Sequence, residues 1–345
     1  MTNDDFARSA ALRFLDRGLT VGAFNLCDPE VKSAVSLCTS GSLQELQVQR
    51  ITAYKEDVFL LRFPSTMHGL VLRVFPVEAT DRIARVIRES TLLHQASQVC
   101  QYLIPRHLAE FVFENQMIFI TEMLPGKAVT EICIGKNEVE RIADAIRQSQ
   151  DILSRTPLGK DLIAEASRTT SYYKTKVVKF LKSYFNIDIS FEELAFLEPL
   201  EELRRNSAVI VSDRSPANFV IDGERLGAYD FEVAFAGVAF EDWSWFIDNP
   251  RLNASLSWQE LLHLFCEDFT KVNRGSEAKA SQTFFISSVF VCIKQHCLML
   301  AMGEAEMSNH YLACAARSAE QSTQKEAIEL VRKLREKAPH EIRNE

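Results

Sequence analysis

The stretch from Val209 to Phe235 reads VIVSDRSPANFVIDGERLGAYDFEVAF, and it holds three oxygen-bearing side chains that local folding does not demand. Asp213 and Asn218 have four residues between them, and Asp230 follows two further apolar runs, NFVI and LGAY. Strand ends and turns often carry Asp or Asn, so each taken singly is explained as punctuation. If they converge, two carboxylates and a carboxamide form a set of hard oxygen donors able to hold something at one point. A tight loop can point Asp213 and Asn218 to one face. The Asp222-Gly223 turn would fold the flanking runs into a hairpin and bring Asp230 back.

The rest of the chain narrows the chemistry by exclusion. The eight cysteines show no CxxC pairing, and the seven histidines make no HxH or HxxxH pair, so a zinc site is not expected. Most cysteines stand in apolar surroundings such as FVCIKQHCLML, where cysteine acts as a small hydrophobe. The 345 residues are 47% hydrophobic and carry a net charge of −8, which gives a nucleic-acid partner no electrostatic support. The N-terminus is acidic and amphipathic without a long apolar core, unlike a signal peptide. The most apolar segment, Phe284 to Met302, is interrupted by Lys294 and His296 and reads as a buried helix rather than a membrane span. The expectation is a cytoplasmic protein with no membrane or nucleic-acid partner.

The elements that must position the three residues follow from periodicity. A helix is expected over about Asp5 to Arg17, then a three-stranded meander from about Leu43 to Pro76, in LQELQVQRITAY, DVFLLRF and GLVLRVF. ATDRIARVIRESTLLHQASQV predicts a helix with Asp81 near its start and Ile83, Val86, Ile87, Leu92 and Leu93 as candidates for its buried face. EFVFEN and QMIFITEML predict a hairpin, ended by Pro125-Gly126. Beyond it the pattern is mostly helical, including about Thr169 to Phe185 and about Trp258 to Lys337, broken by the strand-like run from Val209 to Tyr229.

In this order of elements, with VSDRSPAN and DFE at its centre, the chain resembles the protein-kinase-like fold, and within it the aminoglycoside and choline phosphotransferases, which are small-molecule kinases. TEMLPGKAV resembles the family's hinge, and LVLRVFP its third strand, where some members carry Arg in place of Lys. The resemblance runs from about Leu43 to Ile247. It implies an α+β, bilobal architecture: residues 1–122 as an N-terminal lobe with a small antiparallel β-sheet and a helix, and 123–345 as a larger, mainly helical C-terminal lobe. It further implies ATP and Mg²⁺ as cofactors and a hydroxyl of a small molecule as acceptor. Asp213 would orient that hydroxyl and take its proton, while Asn218 and Asp230 would ligate the metal. Arg73 would reach the phosphates, Glu89 would fix its direction, and backbone groups of Glu122, Met123 and Leu124 would meet the adenine. Asp242, at the start of a helix, would support the catalytic loop. Trp243, Trp245 and Phe246 read as packing, with an aromatic cage for a quaternary ammonium as the alternative.

Three departures weigh against that reading. The turn AYKEDVF between the first two strands has no glycine and carries Glu56 and Asp57, which would repel phosphate if they pointed inward; TSGSLQ lies earlier. Val211 stands where the family has a bracing histidine, and Ser215 where kinases carry Lys or His, a loss for which Arg214 is the available compensation. The alternatives are a pseudokinase or nucleotide-binding scaffold of the same fold, and an unrelated helical interaction protein. Oligomeric state and the identity of the acceptor leave no trace in the sequence.

Overall fold

Alternating apolar residues in the first third of the chain build an antiparallel sheet. A computed structural model describes residues 9, 47–52, 57–62, 69–97, 104–273 and 276–337. The expected N-terminal helix, the turn residues 53–56 with Glu56, the Asp57 side chain and the TSGSLQ stretch lie outside the described residues. The chain packs as two units, one running to Lys127 and including Val220–Val233, the other comprising Ala128–Phe219 and Ala234 onward.

In the first unit, β1 (Gln47–Thr52), β2 (Asp57–Arg62) and β3 (Gly69–Pro76) form the expected meander. α1 (Thr80–Ser97) follows, then the hairpin of β4 (His107–Phe113) and β5 (Gln116–Glu122). Strand order in this sheet is β1-β2-β3-β5-β4, antiparallel throughout. Glu114 and Asn115 close the hairpin with φ of 46° and 60°, the pair of positive values that a two-residue turn matched to strand twist requires. Helix α1 buries Val86 against Phe75 and Phe119, whose rings meet edge to face at 5.7 Å. Leu92 and Leu93 are buried as expected, whereas Ile87 is 41% exposed. One residue is about 100° of helical turn, so Ile87 sits off the stripe set by Val86 and Leu93.

After the short β6 (Lys127–Ala128), the chain becomes helical: α2 (Lys136–Arg155), α3 (Pro157–Ser167), α4 (Tyr172–Phe185) and α5 (Glu198–Ser207). Strand β7 (Val209–Val211) leads into the loop with Asp213; β8 (Phe219–Asp222) and β9 (Arg225–Ala228) form the hairpin after it, and β10 (Phe235–Gly237) returns to pair with β7. The hairpin turns on Gly223 and Glu224, one residue later than the sequence suggested. Gly126, just past the β5 strand, has φ +119°, and a Cβ there would come within 2.5 Å of the Ile221 carbonyl oxygen, so the Pro-Gly break is enforced by both conformation and space.

The second unit is completed by α6 (Phe240–Ile247), α7 (Trp258–Asn273), α8 (Glu277–Ala301), α9 (Ala305–Ser322) and α10 (Lys325–Lys337). Helix α8 is long and apolar enough to cross a membrane by length and composition, and it packs against α4, α6, α7 and α9 with most of its side chains buried. Asp248, at the end of α6, pins these helices together. Its buried carboxylate accepts from Ser244 (2.8 Å), Ser288 (2.7 Å), Trp258 Nε1 (3.0 Å) and Arg317 Nη2 (2.9 Å).

Candidate functional site

In the first unit, alternation along β3 sets Arg73 apart from the fully buried Leu72 and from Val74. Its guanidinium donates through Nη1 to Glu89 Oε2 and through Nη2 to Glu232 Oε2 at 2.6 Å. The first of these is the pair that the sequence suggested. Glu89 Oε1 in turn accepts from the Phe231 backbone N–H at 2.8 Å, so this one carboxylate ties β3 and α1 to the DFE segment. Burial pushes the Glu89 carboxyl up from its ordinary value; the Arg73 charge opposes this, and the Asp230 charge adds to it. Asp230 itself is exposed, with φ +60°.

Glu122 to Leu124 leave β5 with two of their N–H groups already committed. Glu122 N–H donates to Arg106 O and Met123 N–H to Gly69 O, both at 2.9 Å. The Glu122 carboxylate pairs with Arg106 at 3.1 Å. Backbone recognition of a planar base by this stretch therefore falls to its carbonyls and to Leu124 N–H. The Leu124 side chain packs on Gly227, where a Cβ would stand 2.7 Å from it, so glycine is what admits the leucine.

In the second unit, the loop after β7 is fixed by its own polar groups. Asp213 Oδ1 accepts from Ser215 N–H at 3.0 Å, and Asn218 N–H donates to Ser215 O at 2.9 Å. Asn218 Nδ2 donates to Asp213 O at 2.9 Å. That bond brings Asp213 and Asn218 together and orients the amide, leaving Oδ1 as the atom Asn218 can offer to something else. Asp213 is half-buried.

Bracing comes from behind. Asp242 Oδ1 accepts from Ser212 N–H at 2.9 Å, and Oδ2 accepts from Gln150 Nε2 at 2.7 Å. Burial raises the Asp242 carboxyl to about 7, against the lowering effect of the Arg214 charge. Arg214 is fully buried and donates through Nε to Ser212 Oγ at 2.6 Å. It therefore turns into the protein and does not replace the cation that kinases place beside the catalytic aspartate. What it does, with Asp242, is clamp Ser212 from two sides beside the Val211 that stands in the place of a bracing histidine.

The aromatic residues of α6 divide by role. Trp243 packs among Phe240, Phe265 and Phe269, and Phe246 against Phe219, so these two are core. Trp245 has the ammonium of Lys294 at 5.0 Å from its ring centre. Sequence reasoning passed over Glu232 and Lys294 as chemistry, although DFE and a lysine in the apolar run FVCIKQHCLML were visible signals. The described residues contain no group of three or more His, Cys, Asp or Glu that could hold a metal ion.

No protein-family model matches the sequence, and no curated protein resembles it at the sequence level. Its shape does have counterparts among solved structures. A GDP complex of the F108L mutant of aminoglycoside 2′-phosphotransferase-IIIa aligns with a TM-score of 0.58 at 12% identity, over 81% of this chain and 93% of that one. A choline/ethanolamine kinase family protein from Mesorhizobium loti gives 0.54 at 14% identity, over 83% and 92%. Plasmodium vivax ethanolamine kinase gives 0.52 at 16%, over 79% and 82%. The chain has a protein-kinase-like fold. Within a protein-kinase-like fold the third-strand Arg73, the helix Glu89 and the loop pair Asp213 and Asn218 each occupy the element that the sequence assigned to them.

Proposed function

We propose that this chain is an ATP- and Mg²⁺-dependent phosphotransferase acting on a hydroxyl of a small molecule. The observation that carries the reading is the loop around Asp213. Its backbone is held by Asp242, its carboxylate accepts from Ser215 N–H, and its carbonyl orients the amide of Asn218. The amide oxygen of Asn218 in one unit and the exposed carboxylate of Asp230 in the other are each the kind of donor that a hard divalent cation takes, and Mg²⁺ would neutralise phosphate charge.

Asp213 then accepts the hydroxyl proton as the acceptor oxygen bonds to the γ-phosphorus and the bond to the departing ADP oxygen breaks. Arg73, directed by Glu89, binds phosphate oxygens. Only Glu232 to Ala239 separate the DF pair from α6, too short a segment to dock a peptide, which supports a small acceptor. The structural neighbours, a 2′-phosphotransferase of aminoglycosides and an ethanolamine kinase among them, support the same class.

A second reading, a nucleotide-binding scaffold without turnover, is favoured by the hold of Glu232 on Arg73. Thermal unfolding with and without Mg²⁺-ATP, in wild type and Asp230→Asn, tests nucleotide binding, since a ligand specific to the folded state raises the melting temperature. The expected result is a metal-dependent rise that the variant loses, with ADP release when a hydroxyl acceptor is added. Binding without ADP release for any acceptor favours the scaffold, and no rise at all refutes both.

A further inference from the structure

Helix α8 is apolar along almost its whole length, and the lysine that interrupts it is placed with care. The Lys294 ammonium lies 5.0 Å from the ring centre of Trp245 and 5.9 Å from that of Phe235. Phe235 is the β10 residue paired with Val211, two positions before Asp213. Trp245 lies three residues beyond Asp242, the residue that holds Ser212. Both rings are thus carried by elements that hold the loop around Asp213, and the Asp213 charge favours the charged form of Lys294.

That ammonium has no hydrogen bond or ion pair among the described residues. Glu241, whose charge acts on it more than that of Asp213, makes no ion pair with it and accepts through Oε1 from Tyr173 Oη at 2.6 Å and Val238 N–H at 3.0 Å, and burial pushes its carboxyl up. Burial likewise pulls the Lys294 ammonium down from its ordinary value, with the Lys176 charge adding to that effect and the Glu241 and Asp213 charges opposing it. An ammonium carries three donors, and aromatic faces satisfy charge without accepting a conventional hydrogen bond. Donors on Lys294 are therefore left for an incoming acceptor of hydrogen bonds.

Resting on the phosphotransferase reading, we infer that Lys294 selects the substrate: its ammonium, seated on Trp245 and Phe235, receives a carboxylate of the acceptor while Asp213 receives the hydroxyl. The aromatic faces that would otherwise attract a substrate ammonium already hold the chain's own. A cationic amino alcohol meets like charge from Lys294 and Lys176, whereas a hydroxy acid meets attraction at one end and a base at the other. The acceptor class is then a hydroxy acid and not an amino alcohol.

The test uses the full chain and three four-carbon compounds differing in one group, γ-hydroxybutyrate, butanediol and aminobutanol. Thermal stabilisation gives their binding order, and ADP release in the presence of Mg²⁺-ATP is followed separately. Wild type is expected to bind the carboxylate compound about tenfold more tightly than the amine, the effect of one partly screened charge pair. Lys294→Arg keeps that order and Lys294→Met abolishes it. A flat or reversed order in wild type, stabilisation by none of the three, or an order unchanged in Lys294→Met overturns the assignment. So does a Lys294→Met protein that loses its response to Mg²⁺-ATP while keeping the order, because the ammonium then serves the nucleotide. Absence of ADP release with every compound counts against the phosphotransferase reading, and the binding order still decides the role of Lys294.

Discussion

Asp242→Asn offers a test of the clamp on the loop around Asp213 that does not depend on knowing any substrate. The Asp242 carboxyl is raised from 3.8 to about 7, chiefly by burial. A carboxyl raised on folding keeps a proton that the unfolded chain has already released, so the folded protein loses stability as pH climbs through that window and no further above it. At about 1.4 kcal/mol per pKa unit, the shift corresponds to roughly 4 kcal/mol in all, of which about 3 kcal/mol is lost between pH 5 and pH 8. Asparagine cannot titrate. Its Oδ1 can accept from only one of Ser212 N–H and Gln150 Nε2 at full strength, and the donor left over costs about 1–3 kcal/mol at any pH. The variant should therefore start below wild type at low pH and gain on it by about 3 kcal/mol on going from pH 5 to pH 8. Urea unfolding followed by tryptophan emission reads this difference, because Glu89 and Glu201, whose carboxyls are also raised, titrate alike in both proteins and cancel. Parallel stability profiles across the range would refute the reasoning, for they would mean that the loop is held by a carboxylate charged on both sides of folding.

Three further outcomes follow from the Arg73 cluster and from the hinge glycine. Glu232→Gln removes one of two carboxylates on Arg73 and should tighten Mg²⁺-ATP binding about tenfold by titration calorimetry; unchanged or weaker binding would show that Glu232 does not compete with phosphate. Arg73→Lys cannot span Glu89 and Glu232 together, and should weaken the same binding by about tenfold or more, an effect absent if Arg73 is only structural. Gly126→Ala must force a side chain against Ile221 O at φ +119° and should cost about 2–3 kcal/mol in urea unfolding; a loss under about 0.5 kcal/mol would mean the turn relaxes freely.

Much of the fold was legible because its signals are local. The β1–β3 meander, α1 and the β4–β5 hairpin rest on alternation, helical period and turn residues, each readable within a dozen positions. The pairing of Arg73 with Glu89 was legible only through the family resemblance of LVLRVFP and the helix after it. Glu232 joining them could not be read, because it comes 159 residues later and depends on how the DFE backbone turns past Glu89. Arg214 shows the opposite failure. Beside Asp213 in one dimension it reads as the replacement for a missing cation, and only the packing of Asp242 and Phe219 around it makes a wholly buried position tolerable. Helices α3 and α5 escaped notice because each is short, with little periodic pattern to accumulate.

Asp230 carries its carboxylate on a left-handed backbone. Side chains other than glycine pay for that conformation, Asn and Asp least, at about 1 kcal/mol. A search for stabilising substitutions would place glycine there first, and by backbone criteria alone it would be right. On the phosphotransferase reading, the chain keeps a weaker fold at Asp230 for the sake of an oxygen that glycine lacks, and a thermostable version that retains that role has to leave the defect in place.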